Sequence, residues 1–322
     1  MGWEKWIKRL LGFITLATTL TLITACVWWK WREASRPKRE DLTQSLFTGV
    51  TYHRMTRESP NKLLIHAVEI NILMNPIKEM VITPPDHSRG LEHRDMTTSV
   101  FARKQDTDLA TNGSYFRPFH SNTPFDYYPH NGDPVDIFST AVYGGKQYSE
   151  KEEYGNRHIL CWQNQGLIIV PDGEIPEGVE FAIPGGIQLI RNGELWKEGP
   201  KHQRMNAPRT AIGWNMDQSI VWLVTVDGRQ EDYSKGMLVI EFASFMKELG
   251  AFNSLALDGG GSSTLVAKVE GKQRVLNAPF HTRVPMRERP VANHPGFSAQ
   301  PAVRSYPLIE EITSVMASSK LL

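Results

Sequence analysis

Between Leu10 and Trp29 the chain carries no charged residue, and this run constrains the molecule more than any other stretch. As a helix, about 20 apolar residues cross the roughly 30 Å hydrocarbon layer of a bilayer. Lys5, Lys8 and Arg9 precede the run, which gives the pattern of a secretory signal or a signal anchor. Trp28, Trp29 and Trp31 alternate with Lys30 and Arg32, as at the interfacial end of a membrane helix. Ile23-Thr24-Ala25-Cys26 also has the form of a bacterial lipoprotein box, with Cys26 as the lipidated residue. The bulky Val27-Trp28-Trp29 that follows departs from the small polar residues usual after such a box. A retained anchor or a lipidated Cys26 makes the membrane a partner, and these two and a cleaved soluble form all put the rest of the chain in the cell envelope, facing outside the cytoplasm. Lys30, Arg32, Lys38 and Arg39 balance the basic N-terminus, so flanking charge sets no orientation. Residues 1–32 therefore read as signal or anchor, 33–45 as a linker, 46–300 as one folded domain and 301–322 as a tail.

Composition narrows the function classes. The formal net charge of the 322 residues is +1, so no global field recruits nucleic acid, and none is expected as a partner. Only two cysteines are present and one is Cys26, which excludes a disulfide framework or a Cys-rich metal site. Cys161, between Leu160 and Trp162, reads as a small buried hydrophobe. The ten histidines, among them His53, His66, His120, His130, His202, His281 and His294, form no His-Glu-x-x-His pattern. No cofactor is implied, although a hard cation such as Ca2+ on carboxylates stays open.

Hydrophobic periodicity gives an α+β fold, a mixed β-sheet domain with a few packed helices. Strands are predicted over Lys62 to Asn71, Glu79 to Thr83, Leu167 to Val170, Gly186 to Ile190, Ser254 to Leu257 and Thr264 to Val269. Ser219 to Val226 is nearly all β-branched or apolar and fits a strand buried on both faces. Leu238, Phe242, Phe245, Met246 and Leu249 recur at helical spacing, which predicts a helix from Gly236 to Leu249 capped by Gly250.

Four segments carry chemistry. In Asp258-Gly259-Gly260-Gly261-Ser262-Ser263, three glycines cost backbone entropy and allow close approach of a ligand. Their amides are candidates for an anion-binding concavity. No Lys follows them, so the string is not a nucleotide-binding P-loop. Asn112-Gly113-Ser114-Tyr115-Phe116 offers an amide and a stacking face. Pro208-Arg209-Thr210-Ala211 offers a guanidinium suited to phosphate. The stretch from Asn277 to Asn293 holds Arg283, Arg287, Glu288 and Arg289, three arginines and a second carboxylate.

In this order, Asn-Gly-Ser-Tyr-Phe, Pro-Arg-Thr-Ala, Leu-Asp-Gly-Gly-Gly-Ser-Ser-Thr and Glu-Arg-Pro-Val-Ala-Asn resemble the phosphodiester glycosidase family over roughly Leu64 to Phe297. Ser114 departs from the family's usual Gly or Ala, and the segment from Arg117 to Lys146 is long. The resemblance implies hydrolysis of a sugar-1-phosphodiester, a carbohydrate substrate of envelope polysaccharide or glycolipid. It implies Asp258 and Glu288 as catalytic carboxylates. It also implies Asn112, Gly113, Arg209, Gly259, Gly260, Gly261, Ser262, Ser263, Asn277 and Arg289 as substrate- or phosphate-binding residues. The competing reading is a non-catalytic saccharide- or phosphate-binding module in envelope assembly.

Overall fold

The computed structural model describes residues 3–77, 80–151, 157–164, 166–195 and 205–300. Its first element, α1 (Trp3–Ala34), runs unbroken through Cys26 and buries none of its residues. Thirty-two residues at 1.5 Å rise make a rod about 48 Å long, enough to cross a bilayer with a turn to spare at each end. The threonines in the apolar run do not spoil it. Thr15, Thr19 and Thr24 donate their hydroxyls to the carbonyls of Leu11, Thr15 and Leu20 at 2.8 Å, so each polar group is satisfied inside the helix.

Residues 33–45 differ from the expected free linker. Arg36 lies over the Tyr233 ring at 4.5 Å, and the Tyr233 hydroxyl donates to the Pro37 carbonyl at 2.7 Å. Leu42–Phe47 is already a strand, paired with Val50–Arg57 through a tight turn at Gly49, whose φ of +66° suits glycine. The charged composition of this stretch reflects an exposed sheet edge and several arginine contacts. The expected tail, residues 301–322, lies outside the described residues, as do Glu79 of one predicted strand and His202.

The central sheet has eight strands in the order Leu42–Phe47, Val50–Arg57, Leu63–Asn71, Ile220–Val226, Arg209–Trp214, Asn253–Ala256, Gln188–Arg191 and Glu194–Leu195. Every neighbouring pair is antiparallel. Period-two alternation sends Val68, Ile70, Ile212 and Leu223 to one face and Ile65, Ala67, Ala211 and Val224 to the other. Both faces are covered, so the central strands read as near-continuous apolar runs, as expected for Ile220–Val226. The first face packs on two five-stranded antiparallel sheets through Leu109, Leu265 and Phe297 on one side and Leu160, Trp162 and Ile183 on the other. The second face is covered by α3 (Val239–Glu248) through Phe242, Phe245 and Met246.

α3 starts later than its periodicity suggests. Gly236 sits at φ +92° against Ala207, where an added Cβ would lie 2.4 Å from backbone, and Met237 exchanges backbone hydrogen bonds with Ala207. Those bonds hold residues 236–237 out of the helix. Glu241 then accepts from the Leu238 amide at 2.9 Å and starts the first turn.

One edge of this architecture collects the polar motifs. The C-terminal end of Ile220–Val226, the start of Arg209–Trp214 and the C-terminal end of Asn253–Ala256 lie together, because antiparallel pairing sets Arg209 opposite Val226 and Ala211 opposite Ala256. In the neighbouring sheet, Leu109–Thr111 leads into Asn112 and pairs with Leu265–Val269, which follows the glycine loop. Phe242 anchors the covering helix and lines no part of the cavity at that edge. Phe242→Ala should lower unfolding free energy by about 3–5 kcal/mol, read as a lower urea midpoint, with ligand affinity at the polar edge unchanged.

Candidate active site

Asp258 follows the strand Asn253–Ala256 by two residues and lines a cavity of about 910 Å3. The residue is 8% exposed. Its Oδ1 accepts from the Gly259 amide at 2.8 Å, and its Oδ2 accepts from the Ser262 hydroxyl at 2.6 Å. The same Ser262 hydroxyl accepts from Arg289 Nη1 at 3.1 Å, and that nitrogen stands 3.9 Å from Asp258 Oδ2. Burial pushes the Asp258 pKa above the ordinary carboxylate value, against the opposing pull of Arg289, Ser262 and the Gly259 amide. Burial also lowers the Arg289 pKa to about 10, while Asp258 holds it up and Arg229 lowers it further.

Four guanidiniums line the cavity, Arg209, Arg229, Arg283 and Arg289, and Asp258 is the one carboxylate among the described lining residues. Arg209 is fixed by donating to the Met237 and Met205 carbonyls at 3.0 and 2.8 Å. Arg289 stacks over Phe119 with 4.3 Å from Cζ to the ring centroid and donates through Nε to His281 Nδ1 at 3.4 Å. That bond makes Nδ1 the acceptor and puts the imidazole proton on Nε2. Burial and the nearby arginines lower the His281 pKa to about 3, so the ring is neutral at working pH. Such a cavity concentrates positive charge around one carboxylate, and it suits a phosphate more than a neutral ligand.

The three glycines act sterically. A Cβ on Gly259 would lie 2.9 Å from the Pro208 carbonyl, one on Gly260 2.9 Å from an Arg229 nitrogen, and one on Gly261 2.7 Å from an Arg289 nitrogen. Gly260 also has φ +64°. The expectation that their amides cradle an anion needs correction at two of the three, because the Gly259 amide is taken by Asp258 and the Gly260 amide by the Pro208 carbonyl. The glycines instead let two arginines approach the carboxylate.

Several other expected ligand contacts are turned inward. Asn112 is fully buried: it donates to the Asp258 carbonyl at 2.7 Å and accepts from Thr210 and from the Thr264 amide. Gly113 is pressed on Asn293, 2.3 Å from where a Cβ would sit, and its carbonyl accepts from the Asp258 amide. Asn277 accepts from the Leu265 amide and donates to Asp227 and to the Ser263 carbonyl. Ser262 and Ser263 are buried beneath the floor. These residues position the loop and do not line the cavity. Glu288 is also turned away. Its carboxylate accepts from the Ser99 amide at 2.9 Å and the Ser99 hydroxyl at 2.6 Å, in the first turn of α2 (Thr98–Lys104). Free amides at a helix start attract a carboxylate, and they hold Glu288 outside the cavity while Arg289 enters it.

Sequence reasoning passed over Arg229, which sits in what reads as a plain Asp-Gly turn, and left Arg283 unassigned. Arg229, Thr282, Arg283 and Met286 all have φ between +51° and +62°, a costly region for residues with a Cβ. Behind Arg229, Asp227 is held by His66 Nε2 at 3.0 Å, by Asn277 and by the Ala278 amide, and Tyr52 bonds the far side of His66 at 2.7 Å. Among the described residues no group of three or more His, Cys, Asp or Glu side chains gathers at a single point.

Gly261→Ala tests the steric role of the glycines, since it adds one methyl and removes no charge. The added methyl should push Arg289 aside and weaken binding of inorganic phosphate about tenfold, or 1.4 kcal/mol, measured by calorimetry, with a fall in thermal stability as Asp258 loses part of its compensation.

With this geometry in place, comparison with known proteins is informative. The family model for phosphodiester glycosidase (NAGPA) matches residues 105–298. A bovine N-acetylglucosamine-1-phosphodiester alpha-N-acetylglucosaminidase is 25% identical over 214 residues, 59% of this chain and 37% of the bovine protein. An SPβ prophage-derived uncharacterized protein of Bacillus subtilis is 32% identical over 127 residues, 37% of this chain and 17% of that protein. The chain thus spans well under half the length of either relative. Among solved structures, the zebrafish N-acetylglucosamine-1-phosphodiester alpha-N-acetylglucosaminidase catalytic domain, auto-inhibited by its pro-peptide, superposes with TM-score 0.57 and 19% identity. That match covers 83% of this chain and 92% of the zebrafish domain. A Burkholderia pseudomallei protein described as exported superposes with TM-score 0.51 and 14% identity, covering 77% and 76% of the two chains. The matched region holds Asp258, all four cavity arginines and the strands Arg209–Trp214, Ile220–Val226 and Asn253–Ala256 that bring them together, and the chain belongs to the phosphodiester glycosidase family.

Proposed function

We propose that the domain hydrolyses a sugar-1-phosphodiester at the sugar C1–O bond and releases a phosphate monoester. The observation that carries this reading is the lone cavity carboxylate, Asp258, facing a ring of four arginines. In the reaction, positive charge grows at C1 while negative charge grows on the departing phosphate. Asp258 meets the first demand, and Arg209, Arg229, Arg283 and Arg289 meet the second. A phosphate held by several guanidiniums leaves as a stabilised anion, so the reaction needs little help from a carboxylic acid. The inward turn of Glu288 onto Ser99 fits that chemistry. Ser262 ties the two charges together by donating to Asp258 and accepting from Arg289. The name of the bovine relative suggests N-acetylglucosamine as the first sugar to try.

We assign α1 as a retained anchor that holds the domain outside the cytoplasm. Its unbroken course through Cys26 and its lack of any buried residue support this, and a structural neighbour described as exported agrees with it.

The test is a panel of sugar-1-phosphodiesters, beginning with N-acetylglucosamine, given to wild type and to Asp258→Asn. The substitution should lower kcat/KM by at least about 100-fold, whereas equal turnover would remove Asp258 from the reaction. Phosphate binding without turnover of any ester would leave a binding module. The active form of Asp258 is the carboxylate, and its pKa is raised, so activity should fall with acid. The midpoint of that limb in the kcat/KM profile should lie above the ordinary aspartate value of about 3.9.

A further inference from the structure

The last turn of α1 is fastened to the loops that frame the cavity. Arg32 donates through Nε to the Pro285 carbonyl at 2.8 Å, two residues from cavity-lining Arg283. Arg36 donates to Gln230 Oε1 at 3.1 Å, next to cavity-lining Arg229. Arg32 also lies close enough to Arg287 for the two guanidiniums to repel each other. Arg287 in turn donates to the carbonyl of Pro124, another cavity residue, at 2.8 Å and sits over the Tyr127 ring. Two separate loops of the rim are therefore tied to the point where the helix leaves its apolar run.

This placement sets the depth of the cavity mouth. The uncharged run ends at Trp29, and Lys30 and Arg32 follow at the level of the lipid headgroups, a layer about 5–7 Å thick on each side of the hydrocarbon. With α1 as the anchor assigned above, the rim bonded to Arg32 falls at that level. It also exposes apolar side chains that nothing in the fold requires to be there. Phe125, beside Pro124, is 92% exposed, and the lining residues Phe119 and Met205 are 44% and 73% exposed. Aromatic residues next to a cationic rim match a surface that rests on anionic headgroups and reaches into the acyl boundary.

We propose that this rim lies on the bilayer and that the substrate is a membrane lipid whose headgroup is a sugar joined through C1 to the lipid phosphate. This rests on the hydrolase reading above and names its aglycone. Water oxygen bonds to C1 as the C1–O bond breaks. The electron pair of that bond stays on the phosphate oxygen, one water proton passes to the phosphate or to solvent, and the products are the free sugar and a lipid phosphate monoester. The lipid chains stay in the membrane throughout, beneath Phe125 and Phe119. The sugar rises into the cavity to Asp258, and the arginines hold the phosphate at the level of the headgroups.

The experiment uses the full chain in phosphatidylcholine–phosphatidylglycerol vesicles with two probes, the methyl and hexadecyl esters of N-acetylglucosamine 1-phosphate. The hexadecyl ester should show at least about tenfold higher kcat/KM, since each buried methylene favours the bilayer. Phe125→Asp should remove that preference and leave the methyl ester rate unchanged. A fluorophore on Phe125→Cys, in a Cys26→Ser background, should be quenched by shallow spin-labelled lipids. The control is the same label on Met216→Cys, an exposed position at the opposite end of the central sheet, which should not be quenched. Equal turnover of the two esters, preference for the methyl ester, or equal quenching at both positions would overturn the lipid substrate and leave the hydrolase intact. If the label at position 125 is quenched and neither ester is cleaved, the hydrolase reading falls and this one falls with it.

Discussion

The arrangement at the heart of this protein depends on keeping a carboxylate ionised in a place that disfavours charge. Asp258 is buried deeply enough to raise its pKa, and Arg289, Ser262, the Gly259 amide and Arg157 oppose that shift. Removing any one of these partners leaves a charge with less compensation, which costs more than the partner contributes as a simple contact. Arg289 faces the same problem with opposite sign, since burial and Arg229 both act against its proton. Ser262 bonds both and so fixes their separation. The rest of the edge follows from this requirement. Asn112 holds the Asp258 carbonyl, and Asn277 and Asp227 hold the strand and turn on either side.

Antiparallel topology explains how distant segments supply this cluster. Strand ends and strand starts share an edge in such a sheet, so residues 207–209, 227–229 and 258–262 come together although some 50 positions separate the first from the last. The second sheet adds residues 112–113 and 293 by the same rule. Glycine then lets the edges close. Gly228 and Gly236 both pack on Ala207, and Gly259 packs on Pro208, at distances where a Cβ would collide with backbone.

Much of this was legible in the sequence, and the residues show why some was not. Helix α3 and the strand Ile220–Val226 were readable because their burial repeats with a fixed period, although the start of α3 moved to Val239 once Gly236 met Ala207. Asp258 and Arg289 were readable because a carboxylate beside three glycines and an arginine-rich loop are rare combinations. The direction of a side chain has no such signature. Asn112, Asn277 and Glu288 have polar groups suited to a ligand, yet each finds partners inside the protein, and only tertiary packing decides between those fates. Arg229 was passed over for the converse reason. It follows an Asp-Gly pair that reads as a generic turn, and its guanidinium matters only because Gly260, far along the chain, leaves room for it.

The left-handed residues of the rim carry a consequence for how this protein can change over time. Arg229, Thr282, Arg283 and Met286 each hold a backbone conformation that costs about 1 kcal/mol or more for a side-chain-bearing residue. Glycine or asparagine would relieve that cost at any of them. At Arg229 and Arg283 the relief would remove a cavity guanidinium, whereas at Thr282 and Met286 it would leave all four in place. Relief at 282 or 286 carries a smaller loss, the hydroxyl that accepts from Arg287 at one and packing on Leu64, Tyr233 and Ala278 at the other. Lineages adapting to higher temperature should change at positions 282 and 286 sooner than at 229 and 283.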